Sequence, residues 1–155
     1  MSRYMRRFAA VLMGTILIMT LASPAEAATS WSRKTTGASG WGSYARSHQT
    51  YTMKYTLYDT RADGDCAYVV FRPQIQWATK VPGWLSVGTS GFEKRHTVCG
   101  WGKSTKGTDK IDVWARMSAV DRHLGTKMRM QVKVCRDLNN RRDKCAEFVT
   151  PAVEL

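Results

Sequence analysis

The sequence predicts an all-β protein, a single antiparallel β-sandwich of about seven strands with two disulfides and an N-terminal arm. Short segments in which apolar and polar residues alternate recur along the chain, which is typical of half-buried strands. Turn-forming residues separate these segments at short intervals, as in all-β domains. Four cysteines lie beyond residue 27, and an even number of cysteines suits a small disulfide-bonded protein.

The first 27 residues are typical of a secretory signal peptide. A basic start with Arg3, Arg6 and Arg7 precedes an apolar run, and residues 25–27 (Ala-Glu-Ala) match the small-x-small pattern of a signal peptidase site. A membrane anchor is the alternative, but the apolar run is shorter than the roughly 20 residues that span a bilayer. We therefore predict cleavage after Ala27 and a secreted, extracellular protein that has no membrane attachment once the signal is removed.

The chain is strongly basic, with a formal net charge of +12. Residues 1–27 contain three arginines and one glutamate, so the mature chain keeps a charge of about +10, enough to attract polyanions. For an exported protein this favours an anionic cell-wall polymer as a partner over nucleic acid. The alternative is that the charge only keeps the protein soluble.

Residues 28–43 are rich in Gly, Ser and Thr and have no strong hydrophobic period. We predict that they form an N-terminal arm or edge segment that precedes a β-sandwich domain of residues 44–155. Trp31 and Trp41 are candidate binding residues, because isolated aromatic residues in an extended segment can dock into a groove of a partner. The alternative is that both tryptophans fold back and cap the domain as its first strand.

Several later segments are predicted to be strands. Residues 66–79 are rich in branched and aromatic residues, and residues 51–58, 110–120 and 127–134 alternate with period two. Residues 85–89, 92–99 and 145–150 are shorter predicted strands. Residues 59–65 are predicted to be a turn and residues 100–109 a polar loop. The predicted inward residues are Tyr51, Met53, Tyr55, Leu57, Ile111, Val113, Ala115, Met117, Met128, Met130, Val132 and Val134.

The four cysteines allow three pairings. We favour Cys135–Cys145 because these two residues flank one predicted hairpin, and Cys66–Cys99 then follows by elimination. The hairpin tip is rich in basic residues, and the negative charges of Asp137 and Asp143 partly offset their positive charge. In one interpretation the disulfide-bonded hairpin only stabilises the fold. In the other, its tip also binds a partner. The candidate binding residues at the tip are Arg136, Arg141, Arg142 and Lys144.

Trp114 is a further candidate binding residue. In the predicted strand 110–120 it shares the outer face with Lys110, Asp112 and Arg116. An aromatic side chain among charged residues either binds a ligand such as a carbohydrate or packs beneath a neighbouring loop.

No motif predicts catalysis, a cofactor or a metal. Nine residues separate Cys135 from Cys145, unlike a redox pair, and no further thiolates or imidazoles stand at zinc spacing. Residues 59–65 hold three aspartates, but the complete calcium-loop pattern is missing. The one enzymatic alternative is a ribonuclease-like site at Glu93, Lys94 and His96, where Lys94 and His96 share a strand face. We predict a protein that is not an enzyme.

The chain resembles the small secreted β-sandwich proteins of actinobacteria. The features that carry the resemblance are the leader, the start "TSWSRKTTGASGWGSY", the segment "LYDTRADGDCAYVVF" and the paired cysteines. Among comparable proteins are the small adaptor subunits of umbrella toxin particles, which are secreted antibacterial assemblies of some Streptomyces. This resemblance implies a non-enzymatic adaptor whose N-terminal arm, with Trp31, inserts into a lectin subunit and whose body binds a repeat-containing toxin subunit.

The predicted function is therefore that of a secreted, non-enzymatic binding or adaptor protein that joins partner proteins, in an antibacterial toxin particle if the resemblance holds. A cell-wall or carbohydrate-binding module is the alternative, and a small secreted hydrolase ranks third.

Overall fold

The computed structural model describes residues 27–78, 83–87, 93–138 and 141–155. Of these residues 64% lie in strands and 8% in helices, so the prediction of a mostly β protein is confirmed. The predicted signal peptide, apart from Ala27, lies outside the described residues. In chain order the elements are β1 (Thr29–Thr35), β2 (Ala38–Ser47), β3 (Thr50–Asp59), β4 (Cys66–Trp77), β5 (Leu85–Ser86), β6 (Lys94–Cys99), β7 (Ser104–Asp112), α1 (Val113–Arg116), α2 (Ala119–Leu124), β8 (Gly125–Arg136), β9 (Lys144–Val149) and β10 (Val153–Glu154).

The strands form two antiparallel sheets. The four-stranded sheet has the order β1-β2-β3-β7. In the six-stranded sheet, β4 and β8 pair along most of their length, β5 and β6 pair with the other side of β4, and β9 and β10 pair with β8. The described residues thus hold ten strands where about seven were expected. Three of them, β1, β2 and β10, arise in segments that carried no strand prediction. Strand β7 begins at Ser104, so the prediction of a polar loop over residues 100–109 is wrong from that residue onward.

One hydrophobic core cluster draws on both sheets. The alternating patterns of β3 and β8 predicted its centre correctly, because period two places every second side chain on one face of a strand. The core includes the predicted inward residues Tyr51, Met53, Tyr55, Leu57, Met128, Met130, Val132 and Val134.

The segment predicted to be an arm is instead a β-hairpin of the four-stranded sheet. β1 pairs with β2 over its full length, and β2 continues to pair with β3 from Ala38 to Ser47. Trp31 is only 4% exposed and packs edge-on against Phe71 of the other sheet. The aromatic anchor is therefore used within this chain, and the fold-back alternative describes the structure. Strand β1 is the edge of its sheet and pairs on one side only, with β2.

The predicted strand 110–120 is also wrong beyond Asp112. The chain turns there into α1 and α2, because Asp112 accepts a hydrogen bond from the backbone N–H of Ala115 and so caps the first helix. Ser118 and Asp121 form a capping box at the start of α2. Among the predicted inward residues of this segment, Ile111, Val113 and Met117 are buried but Ala115 is exposed. In the described part of the chain no helix is long and apolar enough to cross a membrane.

Polar contacts join the two sheets at both lateral edges. At one edge, Arg33 of β1 donates from Nε to the backbone carbonyl of Glu147 in β9. At the other edge, His96 of β6 and Asp109 of β7 are 2.5 Å apart between Nε2 and Oδ2. These links and the shared core connect the two sheets.

Both predicted disulfides are confirmed: Cys66–Cys99 and Cys135–Cys145. Each joins neighbouring strands at directly opposed positions, Cys66 on β4 to Cys99 on β6 and Cys135 on β8 to Cys145 on β9. Because Ala67 of β4 lies opposite Arg136 of β8, the two bridges sit close together at one end of the six-stranded sheet. That end carries the β8–β9 hairpin tip.

Candidate functional site

The hairpin tip that follows Cys135 is fastened to the sheet by its own aspartates. The hydroxyl of Tyr68 donates to Asp143 at 2.5 Å, and the backbone N–H of Leu138 donates to the other oxygen of the same carboxylate. Asp137 accepts from Arg95 at 2.8 Å. The Arg95 guanidinium lies 3.7 Å from the centre of the Tyr68 ring, within cation–π distance. The two carboxylates therefore fasten the tip to the sheet and form no ion pair with its exposed cations.

Arg136 differs from its prediction as a contact residue. Its side chain is only 12% exposed and pairs with both Asp63 and Asp65 of the β3–β4 turn. It crosses Gly37, where a Cβ atom would lie 2.4 Å from Arg136 Cδ. Arg136 therefore links the β1–β2, β3–β4 and β8–β9 connections. Two of the three aspartates that were considered as calcium ligands are its ion-pair partners.

The other three predicted tip residues, Arg141, Arg142 and Lys144, are exposed. No carboxylate among the described residues pairs with them. The described part of the tip thus carries three cations that are not neutralised, beside the aspartates that fasten residues 137, 138 and 143 to the sheet.

The hydrogen bond between Tyr68 and Asp143 shifts the pKa of both groups. Burial, and then the bond to the Asp143 carboxylate, raise the pKa of Tyr68 to about 12. The same hydrogen bond lowers the pKa of Asp143, and burial opposes this in part. Neutral phenol and ionised carboxylate are therefore the pair that the folded protein favours.

This pair predicts a loss of stability in alkali. Because the folded pKa of Tyr68 exceeds the ordinary value, its contribution is fully present below about pH 10 and falls as the pH rises towards 12. In Tyr68→Phe the decline in the free energy of unfolding between pH 9 and 12 should be shallower, although Tyr55, whose pKa is also raised by burial and by Asp109, still contributes. Urea unfolding at each pH measures this. The exposed Tyr58→Phe is the control and should keep the full decline; an equal decline in Tyr68→Phe would contradict the assignment.

A second basic surface covers the outer face of the four-stranded sheet, and we call it the lysine face. Every second residue of these strands points outward, away from the core. Serine and threonine occupy most of the other outward positions. The lysine face comprises Lys34, Lys54, Lys106, Lys110, Trp41 and Tyr58.

Strand register brings three of these lysines together. Lys54 of β3 lies opposite Thr108 of β7, so Lys106 and Lys110 are its two diagonal neighbours. Diagonal positions on an antiparallel pair are about 7–8 Å apart, within reach of long side chains. No described carboxylate forms an ion pair with any of the four lysines of this face. The face therefore concentrates positive charge. Asp112, which lies two residues beyond Lys110 on the same face, caps α1 and forms no ion pair with these lysines.

Two aromatic residues lie beside these lysines. Trp41 and Tyr58 stack with ring centres 6.4 Å apart and planes inclined by 25°. Their side chains stay 43% and 37% exposed. Trp41 was predicted as a binding residue and it is accessible, whereas the lysines around it were not predicted as a group.

The outer face of the six-stranded sheet has a different charge arrangement. Arg72 pairs with Glu93, and Lys127 with Glu154. Lys133 lies 2.8 Å from Glu147, and its hydrogen bond lowers the pKa of that carboxyl group. Arg72, Lys127 and Lys133 thus have carboxylate partners, and Arg129 donates to Gln74 and lies over the Trp84 ring. These contacts distinguish the cations of this surface from those of the lysine face.

The remaining candidates occupy separate places. Trp114 is exposed, but on α1, where the Arg122 guanidinium lies 5.4 Å from its ring centre. Trp101, which sequence reasoning did not select, is 71% exposed in the β6–β7 turn. Gly100 and Gly102 on either side have positive φ, and this Gly-Trp-Gly pattern was the available signal, because such a turn projects its central side chain.

The ribonuclease-like candidate does not assemble. His96 is held by Asp109 and stacks on Tyr55 with ring centres 4.5 Å apart, while Glu93 pairs with Arg72. Lys94 is exposed and has no described contact with the imidazole of His96. The histidine links the two sheets in this structure.

Comparison of the sequence with models of known families, with curated proteins and with solved structures finds no match.

Proposed function

We propose that this chain is a secreted, non-enzymatic binding protein, a single β-sandwich that holds a linear anionic polymer of the cell wall on its lysine face. The observation that carries the proposal is the group of unpaired lysines around Lys54. Two disulfides are compatible with an extracellular protein. The core shared by both sheets supports the two-layer architecture.

The charge arrangement favours a polyanion over a small ligand. The outward lysines are spread over three strands, from Lys34 on β1 to Lys106 and Lys110 on β7. Adjacent strands lie about 4.8 Å apart, so the charges extend over roughly 14 Å across the sheet. Several weak phosphate contacts on an open surface suit a repeating chain of phosphodiesters such as a teichoic-acid-like polymer.

The aromatic pair gives this face a second kind of contact. Trp41 lies opposite Thr56 and in the same row as Lys106, so the indole borders the lysine group. A flat, half-exposed indole can pack against the carbon backbone or sugar of a polymer while the lysines contact its phosphates. This combination supports the wall-polymer alternative over a purely electrostatic surface.

The adaptor function implied by the resemblance placed a lectin subunit on the N-terminal arm. Trp31 is buried in the core, so that mode of docking would use an anchor that the domain itself needs. Strand β1 pairs with β2 on one side only and forms an edge of its sheet. A role in joining proteins, including the toxin-particle role, would therefore use this strand edge without the tryptophan, or another surface of the molecule.

Purified poly(glycerol phosphate) fixed to a biosensor tests the proposal. The variant Lys54→Gln/Lys106→Gln should bind at least tenfold more weakly than the native protein, because it removes two of four uncompensated charges. The control Lys127→Gln/Lys133→Gln changes the net charge equally but acts on the other sheet, at cations that have carboxylate partners. It should bind within about twofold of native. Equal losses in both variants would show that only net charge matters and would refute the assigned face.

A further inference from the structure

Four connections meet at the end of the molecule that carries both disulfides. The backbone N–H of Asp137 donates to Cys66, whose disulfide partner Cys99 precedes the β6–β7 turn. That turn is bound in its centre by Asp59, whose carboxylate accepts from the N–H of Gly100. We call this region, residues 37, 59–65, 100–103, 136–138 and 141–144, the stapled end.

The backbone of the stapled end is fixed by further hydrogen bonds. Asp59 also exchanges main-chain bonds with residues 102 and 103, and Thr60 donates to the carbonyl of Gly37. Arg136 then connects Gly37 to the β3–β4 turn through Asp63 and Asp65. These hydrogen bonds restrain the described parts of the loops before any partner binds, which reduces the entropy lost on binding.

The stapled end presents side chains of the types that are typical of protein interfaces. Trp101 projects from its turn with most of its surface exposed. Arg141 and Arg142 are exposed and unpaired within the described chain, and Asp143 between them and Lys144 is turned inward to Tyr68. Tryptophan and arginine are the residues that most often dominate binding energy at protein interfaces.

From this arrangement we infer that the stapled end is a docking site for an acidic protein surface, separate from the polymer on the lysine face. A cleft here is lined by four cationic residues, by Leu138 and by Asp63 and Asp65, whose carboxylates pair with Arg136. A protein edge with acidic side chains and a pocket for an indole complements both the cations and Trp101.

A displayed library of random peptides, selected on the full disulfide-bonded protein, provides the probe. We expect the selected peptides to be rich in Asp and Glu and to contain an apolar residue that packs against Trp101. Their affinity should fall at least tenfold in Trp101→Ser and in Arg141→Gln/Arg142→Gln, and poly(glycerol phosphate) should not displace them. These sites are exposed, so the variants should fold, which circular dichroism checks.

Two matched controls accompany the selection. Trp114→Ser removes another exposed tryptophan, on α1 at the far end of β7, and Lys54→Gln/Lys106→Gln removes two charges from the lysine face. Both should bind the selected peptides as the native protein does. Selection without acidic enrichment, winners that bind equally to Trp101→Ser, or full displacement by poly(glycerol phosphate) would each overturn the inference. The proposed polymer function is judged independently, by the biosensor.

Discussion

Replacing Trp31 with alanine should lower the free energy of unfolding by about 3–5 kcal/mol, the cost typical of removing a buried tryptophan. The indole is almost completely buried in the shared core. Its ring meets that of Phe71 edge-on, with centres 6.2 Å apart, so it joins the hairpin of the four-stranded sheet to β4 of the other sheet. Loss of the ring would leave a cavity between the sheets that the edge strand can close only in part.

Trp41→Ala is the matched control for this experiment. The two tryptophans occupy neighbouring strands, but Trp41 lies on the outer face and its main aromatic neighbour is Tyr58. Its replacement should cost about 1 kcal/mol or less, as is usual for an exposed site. Denaturant unfolding of both variants measures the difference. A Trp31 variant as stable as native would restore the arm hypothesis and contradict the hairpin.

Small residues explain why the hairpin was not predicted. Strand β2 places Gly40 and Gly42 on the inward face, where a strand pattern would show apolar residues. A Cβ atom on Gly42 would lie 1.9 Å from the backbone oxygen of Lys54, and one on Gly40 would lie 2.7 Å from Val134. The glycines allow close approach of strand and core, and Trp31, opposite Gly42, fills the inward space. A strand that packs through glycines in this way shows no alternation of apolar and polar residues in its sequence.

The strands that were predicted correctly have the opposite character. Each of β3 and β8 is long, buried on one face and flanked by partners on both sides, so every second residue is apolar. The segment after Asp112 has the same alternation over a shorter length, and there the capping side chains of Asp112 and Ser118 decide for helix. The hydrogen bonds of the two helix caps therefore outweighed a short alternation of apolar and polar residues.

The candidate sites were also predictable only in part, because they depend on contacts between distant parts of the chain. Alternation in β3 already placed Lys54 outward, and the composition of the hairpin tip indicated its charge. What the sequence lacks is the register of β3 against β7, which sets Lys106 and Lys110 on the diagonals of Lys54. It also lacks the contacts that turn Arg136 inward. Both depend on pairings between residues more than 50 positions apart in the chain.

The salt dependence of polymer binding carries the largest expected effect on function. Each phosphate contact with a lysine releases a counterion, which for a single-stranded polyanion contributes about −0.7 to the slope of log affinity against log salt. Four lysines on the lysine face therefore predict a slope of about −3 and a loss of several hundred-fold between 50 and 500 mM salt. Titration of poly(glycerol phosphate) at a series of salt concentrations gives this slope.

Two variants separate the charges from the aromatic pair. Lys54→Gln/Lys106→Gln should make the slope shallower by about 1.4, because two of the ion contacts are lost. Trp41→Ala should weaken binding at every salt concentration and leave the slope unchanged, since packing on an indole releases no counterion. Because both changes lie on the same exposed face and spare the core, neither effect would arise from unfolding. A slope near zero in the native protein, or a slope altered by Trp41→Ala as much as by the lysine pair, would contradict the division of roles on which the proposed function depends.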